Sequence, residues 1–170
     1  MSITVKRIIA FSALVIWMGV IFFLSSQNGE DSQKTSGGLV QGVVDMVVED
    51  FDSLPENEKE DIFSKFSFSI RTVAHFVEFA ILGILSFLAA LTLSFSEETE
   101  KRKIFWRIIF CVAFCFLYAC SDEIHQMFSD GRSAQILDII VDTLGSFTGM
   151  GFVALIVKWY EKRKEVCEKL

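Results

Sequence analysis

The chain has 170 residues, of which 52% are hydrophobic, with 18 Phe, one Pro and a formal net charge of −6. Its mean hydropathy of +0.45 sits poorly with a soluble domain, which reaches about half apolar only when Gly is counted, and its acidity gives no reason to expect nucleic acid as a partner. The length allows one compact domain, and the four Cys fit neither a secreted disulfide framework nor a zinc motif, so they read as core or lipid-facing residues.

Four apolar stretches come close to the ~20 residues needed to cross about 30 Å of hydrocarbon. The first, about 8–24, carries no charge. Lys6 and Arg7 precede it, but it is longer than a signal-peptide core and no small-residue cleavage site follows, so it reads as a retained anchor. The connection 25–69 is too long for a turn. Within it Leu39, Val40, Val43, Val44, Val47 and Val48 recur at near-helical spacing, which predicts a short helix lying on the membrane surface. Ser53 with Glu56, ahead of Ile62, Phe63 and Phe66, resembles the capped start of a second short helix.

The second span, about 70–93, holds Arg71, His75 and Glu78 in its first third. The third, about 104–126, opens beside Trp106 and Arg107, read as interfacial anchors, and ends in Asp122-Glu123-Ile124-His125-Gln126. The fourth, about 136–157, carries Asp138 and Asp142 in its first third. These readings predict an all-α fold: one polytopic membrane domain over 1–170, a bundle of about four transmembrane helices with short external surface helices. Lys and Arg cluster before the first span, between the second and third, and after the fourth, whereas 25–69 holds only Lys34, Lys59 and Lys65. Positive charge stays inside, so both termini are expected in the cytoplasm and the charged thirds of the spans in the outer leaflet.

Arg71, His75 and Glu78 stand at i, i+4 and i+7, within about 60° of one helix face. A charge facing lipid at mid-membrane costs on the order of 2.5–3.5 kcal/mol even on the lenient scale, so these groups are expected to face the bundle interior or a wet cavity. Asp138 and Asp142 share a stripe with Gly145 and Gly149, whose lack of side chain permits close helix approach. If the third helix runs to its end, Asp122 and His125 share a face and Glu123 points elsewhere. Asp, Glu and His are the groups of proton transfer and of hard or borderline metal sites. A divalent cation would suit this set, but the spacing alone specifies none. Gly131-Arg132 offers a fork of donors for a phosphate or headgroup, or simply a turn with an arginine paired to Asp130 or Asp138. Ser25-Ser26-Gln27 lies where it could hydrogen-bond the same cluster or mark the interface. A purely structural ion-pair network remains the plain alternative for the whole set.

The motifs Phe23-Leu24-Ser25-Ser26-Gln27, Arg71 with Ala74-His75-Phe76, Glu78 and Leu82-Gly83, Tyr118-Ala119 with Ser121-Asp122-Glu123-Ile124-His125-Gln126, and Gly131-Arg132, Asp138 and Gly145 follow one another in order across all four spans. In this the chain resembles the VanZ-like family of membrane proteins, named for a member linked to teicoplanin resistance. Phe79 stands where Tyr is common, Asp130 where Pro often precedes Gly-Arg, and Asp142 where Asn is frequent; the extra acid makes the site more negative and could favour a cation. The resemblance implies an envelope role in the cell membrane, with reduced susceptibility to lipid-tailed glycopeptides among its expectations. It implies no settled reaction.

Three functions are compatible with these residues. The first is an envelope protein with an outer-leaflet polar site and no chemistry of its own. The second is a membrane-embedded enzyme acting on a lipid-linked phosphate or headgroup. The third is a proton- or cation-coupled transporter. Candidate catalytic residues are His75, Glu78, Asp122, Glu123 and His125. Candidate substrate-binding residues are Arg71, Gln126, Arg132, Asp138, Asp142, Ser26 and Gln27. Expected partners are membrane lipids and a lipid-linked cell-wall precursor or lipoglycopeptide.

Overall fold

The computed structural model describes residues 2–26, 29–94, 99–128 and 135–168, with side chains described throughout these segments except at 29–36, 100, 101, 165 and 168. Five α-helices follow in order: α1 (Ile3–Ser25), α2 (Gly29–Val47), α3 (Glu56–Leu91), α4 (Glu100–Gln126) and α5 (Ile136–Glu168). A single 3-10 turn, Phe51–Ser53, separates α2 from α3. No strand occurs among the described residues, and α1, α3, α4 and α5 are each long and apolar enough to cross a membrane. The chain is a multi-pass helical membrane protein.

Its outer surface bears this out. Ile8, Ile16 and Phe23 on α1, Phe110 and Leu117 on α4, and Phe147, Phe152 and Leu155 on α5 are all exposed. A water-soluble bundle would hide an apolar shell of this extent, whereas lipid solvates it. Beneath the shell, Leu14, Ile21, Phe79, Leu82, Phe87, Cys115, Ala119 and Met150 form the buried core.

The segment around Ser53 departs from the sequence expectation. Glu56 does not begin a separate capped helix; α3 runs unbroken for 36 residues from Glu56 to Leu91. Ser53 lies in the 3-10 turn, and Pro55 takes the N-cap position with an extended backbone. Proline suits a helix entrance because its missing N–H is not needed there. Beyond it no proline interrupts the run. At ~1.5 Å per residue α3 is about 54 Å long, well beyond the hydrocarbon thickness. Its first turns, with Lys59 near Glu56 and Lys65 paired to Asp61, therefore project out of the lipid. The predicted surface helix is also longer than its apolar stripe. In α2, Val40 and Val44 are buried, while Leu39, Met46 and Val47 on its other flank stay exposed.

α3 packs against every other helix, most extensively against α5. Three glycines explain that closeness. A Cβ on Gly145 would meet the Phe76 carbonyl, on Gly149 the Ala80 carbonyl, and on Gly83 the Ser146 carbonyl. Backbone meets backbone, so the two helices touch without intervening side chains. At the end where the chain passes from α3 to α4, Arg107 donates to Ala90 O (3.1 Å) and Leu93 O (3.0 Å), and Arg7 donates to Thr92 O (2.9 Å). These guanidinium groups add donors to carbonyls at the end of α3, where intrahelical partners run out, although Ala90 O also accepts the Leu93 backbone N–H at 3.1 Å. α1 is tied on by Trp17 Nε1 donating to Glu78 O (2.9 Å) and by Tyr118 Oη donating to Met18 O (2.6 Å).

The glycine contact is testable. Gly145→Ala and Gly149→Ala should each destabilise the purified protein by on the order of 1–3 kcal/mol, the scale of overpacking, seen as a lower melting temperature in detergent. Gly19→Ala, where an added Cβ meets nothing within 4 Å, should melt like the parent. Equal melting of all three would remove the contact from the account of stability.

Candidate functional site

The polar residues gather at the end of the bundle opposite Arg7 and Arg107. α1 ends there, α4 ends there, α5 begins there, and α3 passes through. On α3, His75 is buried, Arg71 keeps about one-third of its side chain exposed (33%) and Glu78 is half-buried. On α5, Asp138 and Asp142 are both buried. The register set by Gly145 and Gly149 brings these two rows face to face. Arg71 Nη2 lies 3.3 Å from Asp138 Oδ2, and His75 Nδ1 lies 3.3 Å from Asp142 Oδ1. The second pair is close in distance only, because neither atom has a partner in hydrogen-bond geometry.

α4 supplies the third wall with Asp122, Glu123 and Gln126, all buried. Asp122 Oδ2 accepts from Ser25 Oγ and from Gln126 Nε2, each at 2.8 Å. Gln126 Nε2 also reaches Ser25 Oγ at 3.5 Å. Glu123 Oε2 accepts the backbone N–H of Gln135 at 2.8 Å. Its carboxylate therefore holds the entry to α5.

Two sequence expectations need correction here. Glu123 does not point away from the cluster: α4 lies in the angle between α3 and α5, so side chains about 100° apart on its circumference both find an interior wall. From the first helix it is Ser25 that enters the cluster, while Ser26 is exposed and donates back to Phe23 O (2.7 Å). The face of α1 turned toward α4 carries Ile21 and Ser25, four residues apart, both buried. Gln27, Asp130, Gly131 and Arg132 lie outside the described residues. His125 sits at the margin, its ring stacked on Phe22 with centroids 4.0 Å apart and planes 20° apart; its Nε2 is buried without a hydrogen-bond partner.

A second polar group, deeper in the bundle, went unnoticed in the sequence. Ser86 Oγ donates to Gly83 O (3.0 Å) and lies 3.6 Å from Cys115 Sγ, with buried Ser146 having no hydrogen-bond partner for its hydroxyl. Ser146 follows Asp142 by four residues on the same stripe, and that spacing was the available signal.

The electrostatics of the cluster are unusual for a protein interior. Asp122, Glu123, Asp138 and Asp142 are all buried, and each has at least one carboxylate oxygen without a hydrogen-bond donor. Leaving a charge buried and uncompensated costs several kcal/mol. Beyond the Asp138 carboxylate paired to Arg71, such a set favours bound protons or a cation, and both are chemically useful in a membrane. One ligand-type atom from each of His75, Asp122 and Asp142 lies within 4.8 Å of the other two.

A family model for VanZ/LLP1 matches residues 10–157. The chain belongs to the VanZ/LLP1 family. The match reaches all four spans and includes the whole of the cluster. No curated protein and no solved structure matches the chain.

The Arg71–Asp138 pair of the VanZ/LLP1 chain is open to a direct measurement. Arg71→Met should destabilise by on the order of 1–3 kcal/mol, below the ~3–5 typical of a fully buried broken pair because Arg71 is partly solvated. Arg71→Met combined with Asp138→Leu should recover most of that loss, since removing both charges removes the stranded carboxylate. Thermal unfolding in nanodiscs reads both. A double variant no more stable than Arg71→Met would show that the pair is not what holds these helices.

Proposed function

We propose that this VanZ/LLP1 protein lies in the cell membrane with both termini in the cytoplasm and its polar cluster in the outer leaflet. There it engages lipid-linked cell-wall precursors or lipid-tailed glycopeptides, and it lowers susceptibility to the latter. The observation that carries this reading is the gathering of His75, Asp122, Glu123, Asp138 and Asp142 at one end of a four-span bundle. That end is opposite the basic segments around Arg7, Arg107 and Lys158–Lys164, which the positive-inside rule keeps in the cytoplasm. The exposed apolar flank of α2 then lies at the outer membrane surface. The histidine and carboxylates exchange protons with a bound headgroup or recognise it. Transport is the less favoured alternative, because the four spans are continuous helices over their described lengths, whereas transporter sites are commonly built on broken ones.

Orientation and activity are tested separately. In a Cys167→Ser background, Glu58→Cys should react with a membrane-impermeant maleimide on intact cells; natural Cys167, in the exposed tail, should react only after permeabilisation. The reverse pattern would invert the topology.

For activity, the chain is expressed in a glycopeptide-susceptible Gram-positive strain. The inhibitory concentration of a lipid-tailed glycopeptide should rise several-fold, with little change for a glycopeptide lacking the tail. Glu123→Gln and His75→Gln should lose the rise while membrane abundance, read by immunoblot, stays near normal. No rise from the parent protein at verified abundance would overturn the resistance reading.

A further inference from the structure

Asp142 is 0% exposed, and neither of its carboxylate oxygens has a hydrogen-bond donor. It faces His75, 7% exposed, from across the α3–α5 contact, with 3.3 Å between Nδ1 and Oδ1. From α4 comes Asp122, 3% exposed. Its Oδ2 is held by the Ser25 hydroxyl and the Gln126 amide, while its Oδ1 has no donor. Among the described residues, Asp122 and Asp142 have no ion pair with Lys or Arg; Arg71 is directed to Asp138 instead. One nitrogen and two oxygens from three different helices therefore converge, mutually within 4.8 Å, at a buried place where no Lys or Arg among the described residues pairs with either carboxylate.

We propose that His75, Asp122 and Asp142 form a binding site for a divalent first-row transition-metal ion inside the bundle. Ligands at about 2.0–2.2 Å from such an ion lie up to roughly 4.4 Å apart, so small side-chain adjustments close the coordination shell. An imidazole nitrogen beside carboxylate oxygens selects a zinc- or manganese-like ion over magnesium or calcium, which prefer oxygen alone. The two donors on Asp122 Oδ2 leave Oδ1 as the free ligand atom. Ligating carboxylates are commonly oriented by hydrogen bonds of this kind. Two carboxylates balance the ion's charge, and three protein ligands leave a coordination position for water or for an oxygen of a lipid headgroup. The site stands on coordination geometry and does not depend on the resistance reading.

The full chain, with Cys167→Ser to remove an exposed thiol ligand and purified without a polyhistidine tag, is stripped with chelator in detergent. It is then titrated separately with Zn2+ and Mn2+. Bound metal is measured by elemental analysis, and Mn2+ also by electron paramagnetic resonance. One of the two ions should bind at close to one per chain and raise the melting temperature. His75→Gln and Asp142→Asn should abolish binding. Ser25→Ala, which removes a donor but no ligand, should weaken it about 10–100-fold. Should the ligand variants fail to purify, the parent stoichiometry and the Ser25→Ala affinity decide the matter. The proposal is overturned if monodisperse parent protein takes up neither ion, if binding survives His75→Gln and Asp142→Asn, or if Ser25→Ala binds like the parent.

Discussion

The close approach of α3 and α5 is the constraint on which the remaining structure depends. Gly83, Gly145 and Gly149 each face a carbonyl of the opposing helix. No other side chain could occupy those positions without pushing the helices apart. Because the contact is backbone to backbone, it fixes the distance between the helices and also their register. One or two turns beyond it toward the polar end, that register sets Arg71 against Asp138 and His75 against Asp142. A wider helix pair would leave these groups separated by lipid tails or water.

The other helices complete an enclosure around that pair. α1 supplies Ser25 and α4 supplies Asp122, Glu123 and Gln126, and each interior group is oriented by a neighbour from a different helix or from the start of α5. Around this interior lies an apolar shell of Phe, Ile and Leu facing outward. The arrangement inverts a soluble protein: the solvent around the spans is apolar, and most of the polar groups are turned inward. Their mutual arrangement then governs whether they carry charge, protons or a bound cation. A cluster with four buried carboxylates is costly to maintain merely as a clasp. Apolar residues of similar volume would hold the helices at lower cost. The expense is easier to understand if the groups act on something, and the unpartnered oxygens of Asp122 and Asp142 are where that something would sit.

Among the sequence readings, the spans and the all-α class were legible because lipid imposes a length and a composition on any helix that crosses it. The inward face of Arg71 and His75 was legible for a related reason: helical period places them together, and lipid excludes them from the outside. The glycine stripe below Asp138 and Asp142 likewise read as a packing surface. Three features did not. The continuity of α3 was hidden by a cap-like Ser53–Glu56 pair, and Pro55 occupied the N-cap instead. The direction of Glu123 depended on how wide an interior wall α4 meets, and the choice of Ser25 over Ser26 on how α1 is rotated about its axis.

The sequence alone thus determined what solvent and periodicity decide, the spans and the face on which charge is tolerated, and its motifs separately carried the resemblance to the family. Only the tertiary structure decided which polar groups meet. His75 lies against a carboxylate 67 positions later, and Ser25 donates to one 97 positions later. Periodicity relates residues within a helix, but it carries no information about the rotation of one helix against another. That rotation follows from packing, here from glycine against carbonyl, and it turned a set of scattered ionisable residues into a single enclosed site.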